Sequence, residues 1–215
     1  MPGLDTDLHL RMLNKSNPAK RGGIYGLEWG DPDKVGYLRQ VKRYYLDYYI
    51  HPSATVVEIG PGGGRWTRYM LDAARIYAVD YHQELLDELR ATYPNPNITF
   101  IRNTGTDFPG IPDHSVDFVF SFGVFVHLEI DLIDAYLANM RRLLKPTSNV
   151  VIQYSDKTKP AAQRNRVFSE NRPATMIALA QKHGFHVEDD NRWLLHHSSI
   201  LRLTLETDGV DSLPG

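Results

Sequence analysis

The sequence predicts one α/β domain built on an open, mostly parallel sheet, and three observations lead there. Short β-branched apolar runs alternate with helical patterns along the chain. The first run, residues 55–59, leads straight into a glycine turn, so that 55–66 reads T-V-V-E-I-G-P-G-G-G-R-W. The chain closes on two alternating β runs, 185–190 and 198–206, which read as an antiparallel pair. A length of 215 residues with 42% apolar content suits a single domain with a full core.

Composition removes several functional classes. The formal charge is −2, from 24 basic and 26 acidic residues, with no basic run, so binding to nucleic acid through phosphate neutralisation is not expected. Zero cysteines rule out a disulfide framework, a thiolate metal site and a cysteine nucleophile. The first twenty residues lack the apolar stretch of a secretion signal. The longest apolar stretch, 118–126, is broken by Ser121 and Gly123 and falls short of the ~20 residues that span a bilayer. A soluble cytoplasmic protein is expected.

Residues 1–34 are rich in glycine and proline and read as a flexible N-terminal arm or lid, with 35–215 as the main domain. Tyr25 and Trp29 either staple this arm to the surface or close over a bound ligand. Asp31-Pro32-Asp33 reads as the cap of a helix running to about residue 50, with Leu38, Val41, Tyr45 and Tyr48 as its stripe. After the glycine turn, Trp66, Tyr69, Met70 and Ala73 share a helical face beginning at Arg65.

The second strand, 75–80, ends in Asp80, twenty residues beyond Gly60, where a nucleotide fold places a ribose-binding carboxylate. A helix over 83–93 and a strand over 98–101 follow. The turn Asn103-Thr104-Gly105-Thr106-Asp107-Phe108 stands at a carboxyl strand end, where its amides and Asp107 suit an adenine amino group and Phe108 the ring. Residues 116–122 are uniformly apolar and read as a central strand. This strand delivers Ser121, Phe122 and, after a short turn, His127 to the same crevice. A helix over 130–144, a strand over 149–155, a polar loop to about 173 and a helix over 173–183 complete the reading.

The glycine pattern is G-x-G-x-G, since the sixth position from Gly60 is Arg65, and this departs from the dinucleotide fingerprint. Glu58 points the same way, because a carboxylate there repels a pyrophosphate and suits a cationic ligand. E-x-G-x-G-x-G, Asp80, and the block P-D-H-S-V-D-F-V-F-S-F-G-V-F-V-H-L-E over 112–129 resemble class I S-adenosylmethionine-dependent methyltransferases. The resemblance spans roughly residues 35–206. It implies a Rossmann-like seven-stranded sheet of order 3-2-1-4-5-7-6, last strand antiparallel, with helices on both faces. It also implies S-adenosyl-L-methionine as cofactor, with Glu58, Gly60 and Gly62 at its methionine half, Asp80 at ribose, and Thr106, Asp107 and Phe108 at adenine.

A narrower resemblance, to bacterial sugar and oligosaccharide O-methyltransferases of the methylmannose polysaccharide type, implies a carbohydrate acceptor and dimerisation. Some such enzymes use Mg2+, held in part by an acidic residue where Gly123 stands here, so the metal stays open, with Asp156 and its neighbours as candidate ligands.

A sugar hydroxyl needs a base that titrates near neutrality, and His127 and Asp156 are the catalytic candidates. Tyr25, Trp29 and Tyr154 are candidate substrate contacts. Methylation of a small natural product or lipid at oxygen or nitrogen, and a catalytically silent cofactor-binding subunit, are the alternatives.

Overall fold

The computed structural model describes residues 24–206, so the first twenty-three residues of the expected arm lie outside the described residues. Its centre is a seven-stranded sheet of order β3-β2-β1-β4-β5-β7-β6. The strands are β1 (Thr55–Ile59), β2 (Arg75–Asp80), β3 (Ile98–Arg102), β4 (Val116–Ser121), β5 (Leu144–Ser155), β6 (Phe185–Asn191) and β7 (Ser198–Leu205). The first five run parallel, and β7 pairs antiparallel with both β5 and β6.

The sheet is buried on both faces because its side chains alternate between two separate cores. On one face Val57 and Ile59 pack with Val79, Val119 and Val150 beneath α3 (Ile130–Arg141) and α5 (Pro173–Lys182). On the other, Val56, Ile76, Phe118 and Phe120 pack beneath α1 (Gly36–Tyr45), Trp66 and Met70, with Leu89 of α2 (Gln83–Thr92). Ile133, Tyr136, Leu137 and Met140 form the buried stripe of α3. Each such side chain contributes roughly 1.5–3 kcal/mol by leaving water.

Chain order across the sheet fixes where a ligand can enter. From β1 the chain steps outward to β2 and β3, then crosses back to β4 on the other side of β1. The divergence opens a crevice at the carboxyl ends of β1, β2 and β4, the topological switch point of an open α/β sheet.

Several boundaries differ from the sequence reading. No α-helix forms after the glycine turn: residues 62–66 are turn and Thr67–Tyr69 is a single 3₁₀ turn. Trp66, Met70 and Ala73 are buried there as expected. Helix α1 begins at Gly36 without a side-chain cap and stops at Tyr45, and Tyr48 is 80% exposed rather than part of the stripe. The aspartates ahead of it serve elsewhere: Asp31 pairs with Arg68 and accepts the Asp33 amide at 3.0 Å.

Strand β5 starts at Leu144, five residues early, because Leu144 pairs with Val116 before the register shifts, with the extra residues on β5, and pairing resumes at Phe118 and Asn149. The loop after β5 is tighter than its polarity implies: it holds a short helix α4 (Pro160–Arg164), and Lys157, Ser169 and Asn171 are buried. No helix among the described residues is long and apolar enough to cross a membrane.

Candidate cofactor crevice and acceptor site

Where β1 ends, the backbone turns into the crevice through Gly60, at φ +68, with its amide donating to the Val79 carbonyl at 2.8 Å. A β-carbon at Gly60 would sit 2.1 Å from the Val124 side chain. At Gly63 the obstacle is backbone: a β-carbon would meet the Tyr25 nitrogen at 2.6 Å. The segment 24–30 therefore lies directly on the glycine loop, and only a loop without side chains admits both this strap and a ligand. Tyr25 is buried against the loop, and Trp29 meets it edge-on at 5.2 Å.

Asp80 closes the β2 side. Its carboxylate accepts the His82 amide at 2.8 Å and is also bonded by the Tyr81 and Gly62 amides. Burial pushes the group up from 3.8 to about 7, against the opposing pull of those amides. Tyr81, His82, Leu85 and Gly105 continue the wall beyond it.

Glu58 is buried behind the loop rather than lining the crevice, and accepts from the Thr67 hydroxyl at 2.5 Å. Burial raises it from 4.5 to about 7, with Thr67 and Arg65 opposing the shift.

The crevice of about 350 Å³ continues past β4. Tyr37, Phe122, Val124, Val126, Phe168 and His197 give it an aromatic and aliphatic wall, with Gln153 and Asn165 as polar groups. His127 stands in this wall, and its Nδ1 is 2.8 Å from the Val167 carbonyl. A carbonyl only accepts, so Nδ1 carries the proton and Nε2 keeps its lone pair. Burial holds the imidazole below its usual 6.5, although the Val167 bond opposes the effect. The ring is thus neutral at pH 7 and able to take a proton.

Other candidates stand away from the crevice. Ser121 is buried and donates to the Ile59 carbonyl at 3.0 Å, tying β4 to β1. Phe108 is a core residue beside Tyr136, so it does not cover a ring in the crevice. Asp107 accepts the Thr104 amide at 2.6 Å and the Thr104 hydroxyl at 2.9 Å, stapling its own turn. The Thr106 carbonyl accepts from Asn139, and of this turn only Gly105 reaches the crevice.

Tyr154 is fully buried, donates to Asp190 at 3.0 Å and does not line the crevice. Asp156 is also buried, accepting from Thr158 and from the Ser199 hydroxyl at 2.7 Å. These bonds hold it below the usual carboxylate range in spite of its burial. Both side chains are occupied structurally and do not meet His127. No group of three or more histidine, aspartate or glutamate residues stands together as a metal site among the described residues.

The sequence reading passed over Arg65, His82, Gln153, Phe168 and His197, all of which line the crevice. Arg65 was visible as the residue that breaks the dinucleotide pattern. The others carry no local signal, since Gln153 comes from β5 and His82, Phe168 and His197 from three separate loops.

A family profile described as "Methyltransferase domain" matches residues 56–147, the span from β1 through the start of β5. The fold is shared with an S-adenosylmethionine-dependent methyltransferase from Mesorhizobium loti, at TM-score 0.68 and 14% identity over 80% of this chain and 99% of that one. An S-adenosylmethionine-dependent methyltransferase from Aquifex aeolicus aligns at TM-score 0.62 and 17% identity, over 91% of this chain and 97% of the other. The DhpI–SAH complex aligns at TM-score 0.67 and 18% identity, covering 92% and 93%. No curated protein matches by sequence.

The fold is the one these methyltransferases share, and the family profile matches the segment from β1 to the start of β5 that builds the crevice. The cofactor fits the crevice, whose glycine cradle leaves no room for β-carbons and whose β2 end carries a buried carboxylate.

Proposed function

We propose that the protein transfers the methyl group to a hydroxyl of a sugar or short oligosaccharide, with His127 as general base. The observation that carries this reading is the His127 tautomer. A neutral imidazole held through Nδ1 stands in the wall of the crevice. The aromatic wall from Trp29, Tyr37 and Phe168, with Gln153 and Asn165 beside it, suits a ring whose face stacks and whose rim is polar.

In the residue roles we propose, the amides of the glycine loop hold the methionine half, Glu58 sets the potential behind it, and Asp80 accepts from the ribose hydroxyls. Gly105 and the backbone around it, rather than Phe108, border the adenine end. Tyr25 and Trp29 cover the ligands, which develops the lid reading of the arm.

S-adenosylmethionine, held by the glycine loop and Asp80, would supply an electrophilic methyl carbon to the acceptor oxygen, with the electron pair of the broken S–C bond staying on sulfur. The protein's main contribution is alignment, an effect that supplies roughly 7–11 kcal/mol in well-oriented systems. His127 accepts the hydroxyl proton at Nε2, and the Val167 carbonyl stabilises the imidazolium that results. The proton then passes to solvent, leaving His127 ready for the next turnover.

The test is methyl transfer by wild type and His127→Asn over a panel of free sugars, oligosaccharides, phenols and amines. Base catalysis is typically worth ~10²–10⁴, so His127→Asn is expected to lower kcat by at least about 100-fold with S-adenosylhomocysteine affinity unchanged. An unchanged kcat contradicts the role of His127.

A second reading, methylation of a small aromatic natural product, is favoured by how far aromatic and aliphatic side chains outnumber polar ones in the wall. Turnover of phenols but not sugars decides for it.

A further inference from the structure

We propose that Arg65 is an anion-binding residue of the acceptor site, so that the acceptor is an acid bearing a carboxylate or phosphate beside its reacting hydroxyl. This inference rests on the reading of the crevice beyond β4 as the acceptor site.

Arg65 lines the crevice yet is only 7% exposed. Its guanidinium carbon lies 5.6 Å from the centre of the Trp66 ring and 5.5 Å from that of Phe122. Both rings lie within cation–π reach of the guanidinium. Among the described residues it forms no ion pair and no hydrogen bond within the protein.

The nearby carboxylates do not close this gap. Glu58 is engaged by Thr67, and Glu28 accepts the Gly26 amide at 2.7 Å. Neither lies within ion-pair distance of Arg65, although both raise its proton affinity from afar. Burial still brings the group down to about 10, which leaves it cationic at neutral pH.

A buried cation without a partner is costly, and in folded proteins such groups are paired or bind ligand. The arginine fork matches a carboxylate or phosphate in two parallel hydrogen bonds.

Position favours the acceptor. One terminal nitrogen of Arg65 stands 3.6 Å from where a β-carbon on Gly123 would be. Gly123 begins the turn from β4 that leads to His127, and its amide is tied to Gln153 at 2.7 Å. The absence of a side chain at Gly123 leaves the guanidinium open towards that end of the crevice.

The competing source of a carboxylate is the cofactor's own methionine end, and the experiment separates the two. S-adenosylhomocysteine is titrated into wild type, Arg65→Gln and Arg65→Lys. Acceptor probes are then titrated into each protein saturated with S-adenosylhomocysteine: D-glucuronate and D-glucose 6-phosphate against D-glucose, and 4-hydroxybenzoate against phenol. At least one acid is expected to bind wild type 10-fold or more tighter than its neutral counterpart. That preference should collapse below 3-fold in Arg65→Gln and return in part in Arg65→Lys, with S-adenosylhomocysteine affinity the same throughout.

A preference that survives Arg65→Gln, or no preference for any acid in wild type, overturns the proposal. So does an Arg65→Gln protein that loses S-adenosylhomocysteine affinity instead, which assigns the residue to the cofactor. Failure of His127 as base is read separately, from turnover, and leaves these binding ratios untouched.

Discussion

Single carboxylates and imidazoles set how this protein answers pH. Glu58 titrates near 7 in the folded state against an ordinary 4.5, so the native protein keeps a proton that the unfolded chain has released. The part of the stability due to Glu58 is therefore full below about pH 4.5, falls as pH rises to about 7, and is level above that. Chemical denaturation between pH 4.5 and 7.5 should show a flatter decline in Glu58→Gln than in wild type, and parallel declines would contradict the assignment. His127 moves oppositely, since burial keeps it neutral to lower pH. The acid limb of kcat/KM should carry an apparent pKa below 6.5 and vanish in His127→Asn.

Tyr154 and Phe108 show where residue-level reading stops. Tyr154 stands near the carboxyl end of β5 and Phe108 in the loop that follows β3, close to where ligands bind, but both side chains turn into the core, and sequence spacing alone does not say which way they face. Tyr154→Phe removes the bond to Asp190 and should cost about 1 kcal/mol of stability, measured by denaturation, without changing kcat.

Among the elements, the glycine loop and the strap 24–30 act together. Periodicity at Trp66, Met70 and Ala73 read as a helix, and the burial it implied is real, but the chain meets it with turns and one 3₁₀ turn. Glycines 62 to 64 give the segment no helical start, and the Arg68–Asp31 pair draws it towards the strap. The strap was legible only as a glycine-rich stretch with two aromatic residues, since a surface loop's docking depends on what lies beneath it. Gly63→Ala is the matching test: its β-carbon collides with the Tyr25 backbone, so the strap must lift. S-adenosylhomocysteine affinity should fall by about 10-fold or more while the far-ultraviolet spectrum stays that of wild type, and unchanged affinity would detach the strap from ligand binding.

At the scale of the molecule, the sheet was the most legible feature. Alternating βα runs and a terminal antiparallel pair leave few topologies, and Asp80 follows from its place at the end of β2. The end of the crevice beyond β4 was the least legible, because Tyr37, Gln153, Phe168 and His197 come from four separate regions and meet only in the folded chain. The two ends also differ physically: backbone amides and a buried carboxylate at one, a neutral imidazole and aromatic walls at the other. The central claim is that the crevice at β1, β2 and β4 holds S-adenosylmethionine. It is tested most directly by calorimetric titration of S-adenosylhomocysteine into wild type and Asp80→Ala. Micromolar or tighter binding at one site, weakened at least 10-fold in Asp80→Ala, is the predicted result. Absence of binding to wild type, or equal affinity in both proteins, would contradict it.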